Sequence, residues 1–333
     1  MENNKKIISI VIACRNEEKN IEKCLDSLIQ QNYPKENLEI IIADGASTDN
    51  TKEIIKKIQI SNPLVRIKLL DNHKKISSFG FNLGIKQAKG EIIVIFGAHS
   101  FADKNFIAKS VEYLEKIKAD CVGGPIETIN ESSSGKIISL ILSSLFGVGG
   151  SRFRTSKKGG YVDTVAYGAY KKEVFDKIGL FNERLVRNYD IEFNTRLIKS
   201  GGKIFMTPEI KSYYRCPDSF IKLARQSFSN GLWNIYTQKI APSSLRLRHF
   251  IPLCFILSLL GGFILLFFTV LGKFFLSAII GCYILTDVIF SFKITLKNDL
   301  KYFPFLFIGF FILHLSYGFG SLWGILNYYK IKK

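Results

Sequence analysis

The sequence predicts an α/β fold, a mostly parallel sheet flanked by helices, followed by C-terminal transmembrane helices. Three observations predict it. Apolar runs of strand length alternate with amphipathic segments over the first 120 residues. Residues 250–272, 274–292 and 302–326 are long and almost free of charge. The 333-residue chain is also at once basic and apolar, with a net charge of +18 and 47% hydrophobic residues, which excludes a disordered polycation.

The elements follow in order. Residues 7–14 are an apolar run, and 17–29 place Ile21, Leu25 and Leu28 on one helical face. Next come a strand over 38–43, a helix carrying Ile54, Ile55 and Ile58, and a strand over 65–70. A Gly-interrupted helix to Ala88, a strand over 91–96 and a helix carrying Phe106, Ile107, Val111, Leu114 and Ile117 complete the series. Strands that are apolar throughout and alternate with helices call for a parallel sheet covered on both faces, in which ligands sit beyond the strands' carboxyl ends. Those ends are polar here: Arg15-Asn16-Glu17, then Asp44-Gly45-Ala46-Ser47-Thr48-Asp49, then Gly97-Ala98-His99-Ser100. Taken alone, the Asp44 to Asp49 run reads equally well as a turn and helix cap. Three polar loops on one edge favour a ligand site. No G-x-G-x-x-G follows the first strand and no GxxxxGK[ST] is present, which argues against a dinucleotide fold and a P-loop.

Charge and apolarity are unevenly spread. Residues 250–333 hold seven Lys and two Asp, a charge of +5, and the first 249 residues carry the other +13. Between 211 and 248 seven basic residues face Asp218 alone, just before the apolar tail. That placement suits anionic membrane lipid and makes nucleic acid the least favoured partner. The three apolar runs contain only Asp287 and His314 as ionisable groups, and each is long enough to cross about 30 Å of hydrocarbon. Basic flanks put the start of the first span, and the loop with Lys293, Lys297 and Lys301, in the cytoplasm. A third full crossing leaves Lys330, Lys332 and Lys333 outside, a conflict that a re-entrant or tilted segment at Gly318, Gly320 and Gly324 would relieve. Asp287 and His314 mark either a polar path or an interhelical hydrogen bond. The polar start, MENNKK, predicts no cleavable signal peptide, and six cysteines without a CxxC pair predict reduced thiols.

The string SIVIACRNEEKNIEKCLDSLIQQNYPKENLEIIIADGASTDNT resembles the start of family 2 glycosyltransferases, which have the GT-A nucleotide-sugar-binding fold. GGSRFRTSKKGGYVDTVAYGAYKKEVFDKIGLFNERLVRNYDIEFNTRL and GGKIFMTPEIKSYY are similar to the subgroup of membrane-anchored glycosyltransferases of succinoglycan and exopolysaccharide type. The resemblance spans roughly residues 5–240. It implies a cytoplasmic domain over 1–245, with a nucleotide-binding half (1–100), an acceptor half (101–215) and an interfacial amphipathic segment (216–245). A membrane domain over 246–333 with about three spans would follow, making a multi-pass protein of the cell (inner) membrane.

The resemblance also implies roles. Glu17 and Asp44 match the positions that hold the base and ribose of a nucleoside diphosphate sugar, and Asp49 supports their loop; a carboxylate at a strand end can accept such hydrogen bonds. Asn16 lies in the same loop, while Arg15 and Lys75 are cations for phosphate or merely solvated basic residues. Asp190, in NYDIEFNTRL, matches the general base, with Tyr189 in place of the acid that usually precedes it. Read from the residues, Asp190 is also a helix cap, and Glu192 either buttresses the site or pairs with Arg196. Where the subgroup has Asp-Ala-His to bind a divalent cation, this chain has Gly97-Ala98-His99. Mg²⁺ or Mn²⁺ is therefore expected with His99 as ligand, and the loss of the leading carboxylate puts metal dependence in question.

On the acceptor side, residues 147–170 are rich in Gly and carry Arg152 and Arg154, suited to closure over substrate or to an anionic acceptor. The apolar stretch 137–146 fits a core helix or a membrane surface. Residues 220–236 set Phe220, Leu223, Ala224, Phe228 and Ile235 on one face and a basic, aromatic set including Gln226 and Trp233 on another, as in an interfacial helix. Gln226 and Trp233 are similar to an acceptor-side motif of processive relatives. The implied activity is inverting transfer to a polyprenyl-linked glycan; alternatives are a polyprenyl-phosphate monosaccharide synthase and a catalytically impaired nucleotide-sugar-binding scaffold.

Overall fold

A computed structural model describes residues 5–330, and their contacts divide the chain into two units. Unit 1 runs to Glu127 and resumes over Ser156–Arg215; unit 2 takes Thr128–Thr155 and everything from Cys216 onward. The division thus falls elsewhere than between residues 245 and 246. Residues 128–155 and the helix after Cys216 go with the C-terminal helices.

Unit 1 opens with β1 (Ile8–Cys14), α1 (Ile21–Ile29), β2 (Leu38–Asp44), α2 (Thr51–Ser61), β3 (Arg66–Asp71), α3 (Ser77–Gln87) and β4 (Ile92–Gly97). It continues through β5 (Ser100–Ala102), α4 (Phe106–Ile117), β6 (Cys121–Gly124) and β7 (Ile126–Ile129), on which the chain passes into unit 2. There α5 (Ser133–Leu142), α6 (Leu145–Val148) and α7 (Arg152–Thr155) form, before the chain returns as β8 (Gly160–Tyr161) and β9 (Ala166–Lys171). Helices α8 (Lys172–Ile178) and α9 (Tyr189–Lys199) and strands β10 (Ile204–Met206) and β11 (Ser212–Arg215) complete unit 1.

The main sheet has the order β3-β2-β1-β4-β9-β6-β10-β8. Its first four strands are parallel, β9 runs antiparallel to β4 and β6, and β5 pairs antiparallel with β11 in a smaller sheet. β2 is buried along its whole length, as a strand covered on both faces must be. The cover on one face is close because α3 carries glycines where it meets the sheet. A Cβ at Gly80 would stand 3.1 Å from Ala13 Cβ, and one at Gly84 only 2.2 Å from Val11 Cγ1. The glycines that interrupt the helical pattern are therefore contact points, not a break. At the start of the sheet buried Glu39 accepts hydrogen bonds from the Ser9 hydroxyl and from the backbone N–H of Lys89 and Gly90.

Unit 2 adds α10 (Phe220–Ile240), α11 (Ile251–Leu266), α12 (Val270–Thr295) and α13 (Phe303–Leu326). Leu247–Leu266, Val270–Thr295 and Leu300–Leu326 are long and apolar enough to cross a membrane, and this points to membrane association. The first run stops at Leu266 instead of 272 because the Thr269 hydroxyl, 2.9 Å from the Gly272 N–H, caps the next helix. α13 is one continuous helix, with no re-entrant break. Its glycines serve packing: a Cβ at Gly320 would lie 2.0 Å from Phe228 O on α10, and one at Gly318 2.3 Å from Pro252 O on α11. Opposite them, a Cβ at Gly231 of α10 would lie 1.9 Å from Tyr317 O, and Asn234 donates to the Tyr317 hydroxyl at 2.6 Å.

α10 buries Leu223, Ser227, Gly231, Asn234, Ile235 and Thr237: Leu223 and Ile235 of the predicted apolar face are among them, the rest are small or polar, and Phe228 is exposed. α5 is the core helix of its two readings, with Ile137, Ile138, Ile141 and Leu142 buried and Ile141 set against Gly309 of α13. His314 makes a bond between elements, its Nε2 lying 2.9 Å from Phe146 O and its Nδ1 2.9 Å from the Tyr283 hydroxyl. Asp287 accepts from Ser291 one turn along its own helix. All six cysteines are free. Of the residues invoked for the third crossing, Lys332 and Lys333 lie outside the described residues.

Gly84→Ala is expected to destabilise the full chain by about 1–3 kcal/mol, because the added methyl meets Val11. Gly281→Ala on α12, where nothing lies within 4 Å, should leave the melting temperature unchanged. Scanning fluorimetry of the detergent-solubilised protein checks both.

Candidate active site

Strand register creates the site in unit 1. Cys14 pairs with Asp44 and Ala13 with Gly97, so the chain leaves β1, β2 and β4 at one level. Between β1 and β4 the winding of the sheet changes direction, which opens a crevice at the strand ends. Glu17 and His99, from the loops on either side, meet there with Oε1 3.2 Å from Nδ1. His99 also lies edge-on to Tyr214, at 5.3 Å between ring centroids.

The first two loops brace each other. Asn16 takes a left-handed backbone (φ 55°), donates its N–H to Ser47 Oγ at 2.9 Å and accepts from the Thr48 N–H at 2.8 Å. Glu17 donates its N–H to Thr51 Oγ1 and accepts from Asn20 Nδ2, both at 2.8 Å. Asp44 is fully buried, takes the N–H and hydroxyl of Ser47, and has Lys52 Nζ at 3.4 Å. Asp49 accepts from the backbone of Glu18 at 3.2 Å and from Thr51. Partial desolvation opposes ionisation of Asp49, but the bonds from Thr51 and Glu18 prevail and hold its carboxyl below the ordinary value. Arg15 and Lys75 (φ 59°) are exposed in the loops beyond β1 and β3.

The antiparallel register of β4 and β9 brings the start of β9 to the end of β4. Tyr167 lies tilted against Phe96 at 4.7 Å between ring centroids, and its hydroxyl hydrogen-bonds Ser100. Behind β9, Asn194 of α9 accepts from the Tyr170 hydroxyl and donates to Thr164 Oγ1, each at 2.9 Å. These bonds fix α9, whose first turn carries Asp190 beside Tyr189. Tyr189 packs between Phe81 and Phe181, at 5.5 and 5.6 Å. Desolvation raises the Asp190 carboxyl, partly offset by hydrogen bonds from the backbone N–H groups of Asp190 and Ile191. Arg187, three residues before Asp190, is desolvated too and held below its ordinary value, within electrostatic reach of Tyr214 and Tyr189.

The structure thus gathers Glu17, Asp44, Asp49 and His99 at the strand ends with Asn16 as a strut, and places Asp190 in the same unit at the head of α9. Glu192 is turned into a bidentate pair with Arg196, at 2.6 and 3.0 Å, and is nearly buried. Arg152, Arg154, Gln226 and Trp233 belong to unit 2: Arg154 donates to Thr128 at 3.5 Å, and Trp233 lies edge-on to Tyr236. Sequence reasoning missed Tyr167, Arg187 and Tyr214. The one signal for Arg187 is a cation three positions ahead of Asp190. A cavity of about 510 Å³ lined by Lys6, Glu91 and Lys172 lies at the opposite end of β4, away from these groups. Among the described residues no three His, Cys, Asp or Glu side chains form a cation site.

The sequence pattern described as glycosyl transferase family 2 matches residues 9–179. The chain is 40% identical over 230 residues to the dolichyl N-acetyl-alpha-D-glucosaminyl phosphate 3-beta-D-2,3-diacetamido-2,3-dideoxy-beta-D-glucuronosyltransferase of Methanococcus voltae, covering 67% of this chain and 71% of that one. It is 30% identical over 224 residues to the succinoglycan biosynthesis protein ExoA of Rhizobium meliloti, covering 67% of each. Among solved structures, the mannosyltransferase PcManGT of Pyrobaculum calidifontis, in complex with GDP-Man and Mn²⁺, superposes with a TM-score of 0.60 at 15% identity. That match covers 96% of this chain and 88% of the other, and it shows the same fold.

A desolvated carboxylate stabilises the fold only while protonated. Its raised value makes Asp190's contribution greatest at low pH and lost as pH rises through the folded-state value. Asp190→Asn is therefore expected to raise the melting temperature at pH 8, by an amount that shrinks on acidification. A constant or negative difference across the pH series would contradict this environment.

Proposed function

Because the chain belongs to glycosyl transferase family 2 and is a glycosyltransferase, we propose that it moves one sugar, with inversion, from a nucleoside diphosphate sugar to a polyprenyl-linked glycan. The product would feed exopolysaccharide or cell-surface polysaccharide assembly. The observation that carries this reading is the shared edge of unit 1, where the loops after β1, β2 and β4 meet and the desolvated Asp190 stands at the head of α9. Glu17 and Asp44 supply acceptors for base and ribose hydroxyls. Asp190 takes the proton from the acceptor hydroxyl as that oxygen attacks the anomeric carbon opposite the leaving nucleoside diphosphate. Its raised value brings it closer to neutrality, where a base is most effective.

The polyprenyl acceptor is supported by the Methanococcus voltae relative, whose name specifies a dolichyl-linked sugar phosphate, and by the three apolar helices. The basic run ahead of α11 keeps unit 1 in the cytoplasm at the inner membrane and meets anionic lipid, in a multi-pass arrangement. Arg152 and Arg154 present cations to the anionic acceptor.

Nucleotide sugars offered with a polyprenyl-linked glycan should yield product of inverted anomeric configuration, scored by NMR. Asp190→Asn should lower kcat by about 10²–10⁴-fold. Equal turnover by Asp190→Asn removes the base; transfer to bare polyprenyl phosphate alone would make the chain a monosaccharide synthase, and none at all a binding scaffold. The acidic limb of kcat/KM should lie above the ordinary carboxylate range, since Asp190 acts only when ionised.

A further inference from the structure

The loop after β4 lacks the carboxylate that the family resemblance would lead one to expect, and the structure shows what stands in its place. A Cβ at Gly97 would lie 3.0 Å from Tyr167 Cε1, 3.4 Å from Ser100 Oγ and 3.5 Å from the Tyr167 hydroxyl. The space through which an acid at position 97 would project is thus lined by a tyrosine. Tyr167 adopts φ 47°, a left-handed conformation that a bulky residue takes only when its surroundings impose it. Here its ring is packed against Phe96 and its hydroxyl bonded to Ser100. Strain of this kind at the mouth of a ligand site points to a role in that site.

The remaining donors do not fit a divalent cation of the kind that diphosphates carry. Mg²⁺ and Mn²⁺ favour several oxygen ligands, and of the crevice's acids Asp44 is engaged by Ser47 and Lys52 and Asp49 by Glu18 and Thr51, leaving His99 facing the Glu17 carboxylate at 3.2 Å, with no cluster of three such groups among the described residues. Cationic side chains are a different means of holding a diphosphate. Of those in unit 1 near the crevice, Lys52 is paired with Asp44 and Asp71, while Arg15, Lys75 and Arg215 are exposed, where water screens them. Arg187 is partly buried, within electrostatic reach of Tyr214, whose ring lies against His99. A guanidinium in such surroundings acts on a phosphate more strongly than a solvated one and can bind it through two N–H groups at once.

We propose that this chain holds its donor's diphosphate without a protein-anchored divalent cation, with Tyr167 filling the place of the missing carboxylate and Arg187 supplying the countercharge. The proposal rests on the nucleotide-sugar reading of the site, and the experiment separates the two. The full chain in nanodiscs is titrated calorimetrically with UDP, GDP and dTDP, and with the matching nucleosides, in chelator and in Mn²⁺. The diphosphate that binds should do so with affinities that differ by less than about threefold between the two conditions. Arg187→Gln should weaken that diphosphate by about tenfold or more while leaving the nucleoside unchanged, and Arg187→Lys should recover part of the loss. Electron paramagnetic resonance of Mn²⁺ alone should detect no bound ion in the natural chain or in Gly97→Asp. It should detect one in Gly97→Asp/Tyr167→Ala, where the carboxylate has room. Binding abolished by chelator, or equal loss of diphosphate and nucleoside in Arg187→Gln, overturns the proposal and leaves the glycosyltransferase reading intact. Failure of every nucleotide in both conditions overturns both.

Discussion

The site depends on one constraint, the in-register pairing of β2, β1 and β4. Parallel strands carry no tight turns between them, so each must leave the sheet through a loop at the same end, and register decides whether those loops arrive level. With Cys14 opposite Asp44 and Ala13 opposite Gly97, they do. A slip of one residue in β1 would turn its buried Ile8, Ile10 and Ile12 to the other face, so the core that fixes register also fixes the site. The glycines of α3 belong to the same constraint, because they let the helix approach β1 and β2 closely without displacing either strand.

Unit 2 solves a different problem with the same residue type. Apolar helices in lipid gain little from hiding apolar surface from one another, so close backbone approach and hydrogen bonds decide how they pair. Gly231 on α10 and Gly320 on α13 meet the facing helix backbone directly, and Asn234 and Ser321 add hydrogen bonds to Tyr317 and to the Gly231 carbonyl. This explains why α10 buries Ser227, Gly231, Asn234 and Thr237 beside Leu223 and Ile235, and leaves Phe228 exposed. An amphipathic pattern assumes water on one side of a helix. Where the neighbours are apolar helices, the assumption holds only in part: the pattern finds Leu223 and Ile235 but not the small and polar residues buried beside them.

That contrast marks how much was legible in the sequence. The strands of unit 1 could be read because burial on both faces leaves an uninterrupted apolar run, and the loops because polar residues then stand out at the run's end. The third apolar stretch was legible as a helix, although its glycines suggested a break where the fold uses them for contact. The alliance of residues 128–155 with the C-terminal helices was not legible, since it depends on tertiary contacts such as Ile141 on Gly309 and Phe146 on His314. Tyr167 was hidden for a similar reason. Its importance lies in a left-handed backbone and in nearness to Gly97, neither of which leaves a pattern in the chain.

Asp190 and Glu192 show the same limit at the scale of two residues. Both are acids in the first turn of α9, where the helix dipole favours negative charge; the family resemblance gives Asp190 as the base, and the residues leave Glu192 either to buttress the site or to pair with Arg196. The fold separates them. Glu192 receives both arms of the Arg196 guanidinium, which also donates to the carbonyls of Ile178 and Leu180. Its charge is thereby neutralised in a structural pair, and it has little capacity left for a substrate proton. Desolvation raises the proton affinity of Asp190, against the backbone N–H groups at the helix start from which it accepts. One arginine a helical turn beyond Glu192 thus gives the two acids of this turn different surroundings. The missing acid at position 189 fits this division. Tyr189, packed between Phe81 and Phe181, fills that position with an aromatic ring in place of a second carboxylate.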